Sequence, residues 1–148
     1  MANYKQSFKE RSIFDPAEKC FEFYCAKNEI LCARYGLDQR KSGIPGGKFI
    51  TIDKMIRSSP DYIIIKKDAC FVEVKGCNNE LKMKLSDIRC YIKWNEIMPL
   101  YYFFYSKSNN EHKKIKHEVF LNIAGGCKTD RYPDNNEEYY CVPWGLIP

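Results

Sequence analysis

Apolar residues recur at close to helical spacing near the start of the chain. They stand at Phe14, Phe21, Tyr24, Leu31 and Tyr35. Asp15 followed by Pro16 is typical of a helix start, because a capping side chain precedes proline at the first helical position. Gly36 is a suitable stop. This pattern predicts one long amphipathic helix over residues 15–35.

Short apolar runs replace the helical pattern in the next part of the chain. Residues 41–48 contain three glycines and a proline and predict a flexible loop, after which 49–52 suits a short strand. Residues 61–65 and 70–75 are two apolar, partly β-branched runs separated by the polar turn at 66–68. This arrangement is typical of a β-hairpin.

The pattern beyond the hairpin predicts a strand, a helix and a further strand. Residues 81–85 alternate apolar and basic side chains, as a half-buried strand does. The polar pair at 86–87 suits a helix start and Pro99 a helix stop, so we predict a second helix to about residue 97. Residues 100–105 are almost wholly apolar or aromatic, which is typical of a strand covered on both faces.

The last part of the chain completes the predicted fold. Apolar and polar positions alternate over Ile115, His117, Val119, Leu121 and Ile123, which predicts another strand. From Gly125 onward we expect a loop that ends in an aromatic, proline-containing tail. The order α-β-β-β-α-β-β implies an α/β fold in which helices pack against a mixed sheet. We expect a single domain over 1–148, with a core at about 15–123 and a C-terminal extension at 124–148.

Composition narrows the class of protein. A chain of 148 residues with 45% hydrophobic content suits one folded domain. It contains no apolar run of about 18 residues, so we expect no membrane span. The polar N-terminus lacks the apolar region of a signal peptide, so we expect an intracellular protein, cytoplasmic or nucleoid-associated. The eight cysteines include no CxxC pair, and we expect them to be reduced.

Charge permits a nucleic-acid partner without requiring one. The chain carries 24 Lys and Arg against 19 Asp and Glu, a formal charge of +5. Basic residues near phosphates release condensed counterions and so favour binding to polyanions. Many solvated surfaces have a similar excess.

The predicted hairpin brings two carboxylates and an amine together. Glu73 and Lys75 are two residues apart on a strand, so both side chains lie on one face. Asp61 begins the preceding strand. A three-residue turn places it opposite Glu73, and a two-residue turn places it opposite Val74. Both registers gather the three side chains at one end of the sheet.

Such a group has a chemical use at a phosphodiester. Two neighbouring carboxylates repel each other unless a cation or a proton intervenes. Hard oxygen ligands suit Mg²⁺ or Mn²⁺, and such a cation polarises a phosphoryl oxygen and lowers the pKa of bound water. Lys75 would orient that water or stabilise charge on the phosphate.

The segment resembles the PD-(D/E)xK nuclease superfamily, which includes restriction endonucleases and Holliday junction resolvases. The resemblance is carried by Pro60-Asp61, eleven intervening residues and Glu73-Val74-Lys75 in an apolar strand. It implies a restriction endonuclease-like α-β-β-β-α-β core with helices flanking a central mixed sheet. The tripeptide ExK alone is not specific, because it recurs at 80–82 and 111–113.

The resemblance also implies further ligands and a substrate. The family's first helix often supplies a glutamate, and of Glu18, Glu22 and Glu29 we favour Glu22. We expect one or two Mg²⁺ or Mn²⁺ ions at Asp61, Glu73, Glu22 and the backbone carbonyl of Val74. The implied activity is hydrolysis of DNA more than RNA, by an endonuclease acting on duplex, branched or nicked substrates.

Basic residues outside this group are candidates for DNA contact. Arg40, Lys41 and Lys48 lie in the glycine-containing loop, and Lys84 stands at the entry to the second helix. Cutting both strands with so small a domain would need two active sites, so a homodimer is a hypothesis. Its candidate surface is the apolar tail at 139–148.

Two other functional classes remain open from the sequence. One is a nucleic-acid-binding module that keeps the nuclease fold without cutting. The other is a zinc-dependent interaction protein that uses the scattered cysteines. The Asp-Glu-Lys group favours catalysis over both, because a binding module has no use for two carboxylates that face a phosphate backbone.

Overall fold

The computed structural model describes residues 15–37 and 42–148. Its main element is a five-stranded mixed sheet with the order β1-β2-β3-β5-β6. The strands are β1 (Leu31–Arg34), β2 (Tyr62–Ile65), β3 (Ala69–Cys77), β5 (Leu100–Ser106) and β6 (Glu111–Lys116). Strands β3 and β5 are parallel, and the other neighbours are antiparallel.

A smaller sheet and several helices surround the main sheet. The smaller sheet is antiparallel and has the order β4-β8-β7, with β4 at Glu80–Lys84, β7 at Thr129–Arg131 and β8 at Glu138–Pro143. The helices are α1 (Pro16–Lys27), α2 (Gly46–Phe49), α3 (Lys54–Arg57), α4 (Leu85–Ile97) and α5 (His117–Gly125), and a 3₁₀ turn follows at Trp144–Leu146. None of the helices in the described ranges is long and apolar enough to cross a membrane.

The main sheet buries apolar side chains on both faces. Helix α1 packs one face, where Phe21 meets Tyr62, Val72 and Phe103. Helices α4 and α5 and the smaller sheet pack the other face, in a larger cluster whose fully buried members are Met83, Tyr102, Phe104, Phe120 and Val142. This mixed α/β architecture with flanking helices confirms the predicted fold class.

The structure confirms the predicted hairpin, second helix and buried strand. Ile65 pairs with Ala69 and Tyr62 with Val72, so the turn at 66–68 has three residues. Of the two registers left open by the sequence, this is the one that places Asp61 opposite Glu73. Helix α4 and strand β5 lie where the pattern placed them.

The predicted helix over 15–35 is too long. Helix α1 ends at Lys27, and Glu29 adopts a φ of 56°, which a continuing right-handed helix does not allow. The chain then forms β1, whose residue Leu31 pairs with Ile65. Leu31 is 72% exposed, so its helical spacing did not reflect a buried helix face.

Two other predicted strands are wrong in part. Residues 46–49 form α2, so 49–52 is a helix end and turn instead of a strand. Only the first part of 115–123 is strand, because α5 begins at His117. Its buried residues are His117, Phe120 and Ala124, whose spacings of three and four are helical. Val119, which completed the apparent alternation, is 41% exposed.

The predicted loop at the C-terminus is also wrong, whereas the predicted dimer surface at 139–148 stays a prediction. The tail forms β8 and the 3₁₀ turn, and its apolar side chains pack in this chain's own core. The buried members are Tyr139, Cys141, Val142, Trp144 and Ile147.

Replacing Trp144 by alanine is expected to destabilise the fold by about 3–5 kcal/mol, because a large buried ring is lost. The ring is 6% exposed, its Nε1 donates to Glu111 at 2.9 Å, and Lys113 lies 4.6 Å from its centroid. The matched control is Leu146→Ala, because Leu146 belongs to the same turn but is 56% exposed. Urea unfolding measures both. Equal losses in the two variants would show that the tail does not pack as described.

Candidate active site

Asp61 is held at the start of β2 by backbone contacts. Its carbonyl oxygen accepts hydrogen bonds from the N–H groups of Tyr35 and Gly36, at 2.8 and 3.1 Å. A Cβ at Gly36 would lie 2.7 Å from the carbonyl oxygen of Pro60, so this approach requires glycine. The Asp61 carboxylate turns towards β3, where Oδ2 accepts a 2.9 Å bond from the N–H of Val74.

Glu73 lies in the middle of β3 and is 6% exposed. Its neighbours Val72 and Val74 point to the α1 side, so the carboxylate points to the α4 side. There Oε1 accepts a 2.7 Å bond from the Tyr91 hydroxyl, and Oε2 accepts a 3.2 Å bond from the N–H of Asp61. The sequence predicted only that Glu73 and Lys75 share one face of the strand. In the structure, helix α4 covers that face at Glu73.

Lys75 shares the face of Glu73. Its Nζ lies 3.6 Å from Glu73 Oε1 and 5.9 Å from the centre of the Tyr91 ring. The structure thus brings Asp61, Glu73 and Lys75 together at one end of the sheet. Their catalytic roles stay predictions.

Burial dominates the acid–base properties of the two carboxyls. Burial, and after it the charge of Asp61, raise the pKa of Glu73 to about 8 against the opposing effects of Lys75 and Tyr91. Burial also raises the pKa of Asp61 to about 6, against the Val74 hydrogen bond, Arg34 and Lys75. The pair therefore does not hold two negative charges easily, and it favours the uptake of a proton or a cation.

Lys75 stays protonated in this environment. Burial lowers the pKa of Lys75, but Glu73, Asp87 and Asp61 together outweigh burial and raise it. The ammonium group is therefore a hydrogen-bond donor and a positive charge at neutral pH.

Asp87 is a third carboxylate at the site. It accepts a 2.9 Å bond from Lys54 Nζ, and Ser58 Oγ lies 3.4 Å away. Burial raises its pKa, but Lys75 and Lys54 outweigh burial, so the pKa of Asp87 is lowered. Asp87 is thus an anion that balances the lysines beside it.

Sequence reasoning missed four residues of this site. Tyr91 and Asp87 fell within the predicted second helix and Arg34 within the predicted first helix, in each case without a functional role, and Lys54 was not considered. One signal was present: Asp87 and Tyr91 are four residues apart on a helix and so share a face. That face meets the carboxylate pair.

Of the glutamates predicted in the first helix, Glu18 is the one linked to Asp61. Glu18 Oε1 lies 2.7 Å from Arg34 Nη1, and Arg34 Nη2 lies 3.8 Å from Asp61 Oδ1. Glu22 instead accepts a 2.6 Å bond from the Tyr62 hydroxyl. Glu29 lies beyond the end of α1. The geometry therefore favours Glu18 over Glu22 as the first-helix glutamate nearest the site. The part of Glu22 in catalysis and metal binding stays a prediction.

Of the four predicted DNA-contacting residues, the structure describes Lys48 and Lys84. Arg40 and Lys41 lie outside the described residues. Lys48 is exposed on α2. Lys84 forms a 2.7 Å ion pair with Glu137 and faces the Tyr132 ring at 5.7 Å, so it is turned towards the smaller sheet. Their contact with DNA stays a prediction.

Asp61, Glu73 and Lys75 border a cleft of about 290 Å³ between the end of the sheet and the segment 49–59. Four cations and three carboxylates line it: Arg34, Lys54, Arg57, Lys75, Asp61, Glu73 and Asp87. Within the described ranges, no three Asp, Glu, His or Cys side chains converge as a metal cluster. A larger and mainly apolar groove of about 580 Å³, beneath α1 on the other face of the sheet, contains none of these residues.

Replacing Tyr91 by phenylalanine is expected to lower the free energy of unfolding by about 1–3 kcal/mol, because the buried Glu73 carboxylate loses a hydrogen-bond donor. The loss is expected to be larger at about pH 9 than at about pH 5, because a hydrogen bond to an ionised carboxylate is the stronger one. Urea unfolding at both pH values measures it. Tyr105→Phe is the control, since that hydroxyl bonds Asn110 at the surface. A loss independent of pH would contradict the charged state of Glu73 at high pH.

The sequence matches no described protein family, and no curated protein matches it. Among solved structures, the fold is similar to that of D212, a nuclease from a fusselovirus. The TM-score is 0.49 over 99% of this chain and 88% of that chain, at 10% sequence identity. At this identity, the activity of the present chain has to be inferred from its own residues.

Proposed function

We propose that this chain is a divalent-metal-dependent nuclease that hydrolyses phosphodiester bonds in DNA. The observation that carries the proposal is the pairing of a buried and a half-buried carboxyl beside an ammonium group. Asp61 donates its N–H to Glu73, and Lys75 lies 3.6 Å from the same carboxylate. Arg34 lies 3.8 Å from Asp61, yet both carboxyls keep raised pKa values despite these cations. A divalent cation between the two carboxylates would offset this unfavourable arrangement.

The donor set fits Mg²⁺ or Mn²⁺. Asp61 and Glu73 supply hard oxygen ligands, and a divalent cation would relieve the repulsion that raises both pKa values. The second oxygen of Asp61, Oδ1, has Arg34 at 3.8 Å, beyond hydrogen-bond distance, so it retains lone pairs for a metal. The N–H of Val74 faces Asp61, and we expect its carbonyl on the same side of the strand, since a paired residue offers both groups to one neighbour.

Each residue has a separate task in the proposed reaction. When bound, the cation supplies Lewis acidity to the phosphate and to a water molecule. Asp61 and Glu73 would hold it, and the Val74 N–H and the Tyr91 hydroxyl orient their carboxylates. Lys75 donates a hydrogen bond to a phosphate oxygen, where negative charge grows during attack. Asp87 keeps Lys75 protonated and in place.

The preference for DNA over RNA and for internal cleavage rests on the resemblance to PD-(D/E)xK nucleases. Glu18 or Glu22 would complete the site directly or through water. A homodimer remains a proposal for the case in which both strands of a duplex are cut.

Incubation of the protein with labelled linear duplex, single-stranded and four-way-junction DNA tests the proposal. Each substrate is tested with Mg²⁺, with Mn²⁺ and with chelator. We expect cleavage that requires the metal. If no substrate is cut but DNA is bound with an affinity that falls with salt, the chain is a nucleic-acid-binding module and the nuclease proposal is wrong.

A further inference from the structure

The carboxylates lie at the bottom of the cleft instead of on an open surface. Glu73 is 6% exposed, and the side chains of Asp61 and Lys75 are 21% and 24% exposed. The cleft volume of about 290 Å³ is at the lower limit of small-molecule sites. A scissile phosphate has to enter this recess to reach the carboxylates.

The wall opposite the carboxylates is the segment 49–59, which is anchored to α4. Trp94 Nε1 donates a 3.1 Å bond to the carbonyl of Met55, and Lys54 pairs with Asp87 at 2.9 Å. Asp53 caps α3 through a 2.8 Å bond from the N–H of Met55. These contacts fix the width of the recess.

Two side chains on this wall suit a nucleotide strand. Phe49 is half-buried and is one of the residues that line the cleft. Arg57 also lines the cleft, where its Nε donates to the Ile52 carbonyl at 2.8 Å, and it forms no ion pair with any residue that the structure describes. An aromatic side chain and a cation in the same cleft are a combination that binds unpaired nucleotides, the first by stacking on a base and the second by contact with a phosphate.

We infer that the site takes an unpaired strand, with Phe49 stacking on a base and Arg57 binding a phosphate beside the scissile one. This inference rests on the proposed nuclease function and narrows its substrate. In a duplex the faces of the bases are stacked on one another, so Phe49 has no face to contact. Duplex DNA is also stiff, with a persistence length of about 50 nm, and its backbone does not bend readily into a narrow recess. An unpaired strand, a flap or the open arm of a branched substrate enters without that cost.

Binding in chelator tests the inference apart from cleavage. Fluorescence anisotropy compares a short labelled single strand with a duplex of the same sequence. We expect the single strand to bind about tenfold more tightly. Phe49→Ala is expected to remove this preference, and Phe49→Trp to retain it, which separates stacking from folding. Phe23→Ala is the matched control, because Phe23 is 70% exposed on α1, away from the cleft.

The contribution of Arg57 is tested by salt dependence. Arg57→Ala is expected to reduce the slope of log affinity against log salt for the single strand by about 0.7, as the loss of one phosphate contact does. Arg89→Ala removes the same charge from an exposed position on α4, outside the cleft lining, and is expected to leave the slope unchanged. Equal slopes in wild type and Arg57→Ala would overturn the role of Arg57.

The outcomes distinguish this inference from the proposed function. Equal or tighter binding of the duplex, or no effect of Phe49→Ala on the single strand, overturns the inference. Metal-dependent cleavage of duplex and single strand at equal rates also overturns it, and leaves the nuclease proposal standing. A single-strand preference that depends on Phe49 without cleavage supports the inference and contradicts the nuclease proposal.

Discussion

Replacing Asp61 by alanine is expected to reduce metal-dependent DNA cleavage by about a thousandfold or more, because a charged metal ligand at the reacting phosphate is removed. The fold is expected to survive. The variant loses the bond from the Val74 N–H, but it also loses the charge that raises the pKa of Glu73. Initial rates in Mg²⁺ measure the first effect, and circular dichroism with urea unfolding measures the second.

Asp68→Ala is the matched control for this variant. Asp68 is exposed in the three-residue turn of the same hairpin, so the same change of charge and side chain occurs away from the cleft. We expect wild-type cleavage rates. If Asp61→Ala also cuts at the wild-type rate, the carboxylate pair is not the catalytic centre.

Replacing Glu73 by glutamine is expected to abolish cleavage and yet to stabilise the metal-free protein at high pH. The pKa of Glu73 is about 8 in the folded protein against a usual value of 4.5. Between these values the folded state binds a proton that the unfolded state has released, so the free energy of unfolding falls as pH rises. Glutamine resembles the protonated carboxyl at every pH. Above about pH 8 the variant is expected to be more stable than wild type by on the order of 2 kcal/mol.

Urea unfolding in chelator at about pH 5 and about pH 9 measures this effect. The stability difference between Glu73→Gln and wild type is expected to grow with pH. Glu96→Gln, an exposed change on α4, controls for the general effect of removing a negative charge. A stability difference that does not change with pH would show that the pKa of Glu73 is not raised in the folded protein.

The hairpin that carries Asp61, Glu73 and Lys75 was accessible to sequence reasoning because its information is local. Two apolar runs and a short polar turn predict the hairpin, and either register left open by the sequence brings Asp61 close to Glu73; the structure selects the one that places them opposite each other. The same-face relation of Glu73 and Lys75 follows from strand geometry. The prediction needed no knowledge of distant elements.

The remainder of the site depends on contacts between distant segments. Arg34, Lys54 and Tyr91 reach the carboxylates from three separate elements, and nothing local to them predicts that meeting. The choice between Glu18 and Glu22 depends on the rotation of α1 about its axis, which packing of Phe21 against the sheet sets.

Two of the wrong elements share one cause, which is that short apolar patterns fit more than one period. Leu31 continued a helical spacing although it is exposed on an edge strand, and residues 117–123 alternated although they form a helix. Only the neighbouring surface decides which side chains are buried. The C-terminal strand β8 was missed because its partner, β4, lies far away in the sequence.

Calorimetric titration with Mn²⁺ shows whether Asp61 and Glu73 together bind a divalent cation. We expect saturable binding to wild type that Asp61→Ala weakens by about tenfold or more, with Asp68→Ala unchanged. Mn²⁺ affinity that is the same in wild type and Asp61→Ala, or no binding to wild type, would contradict binding by this pair.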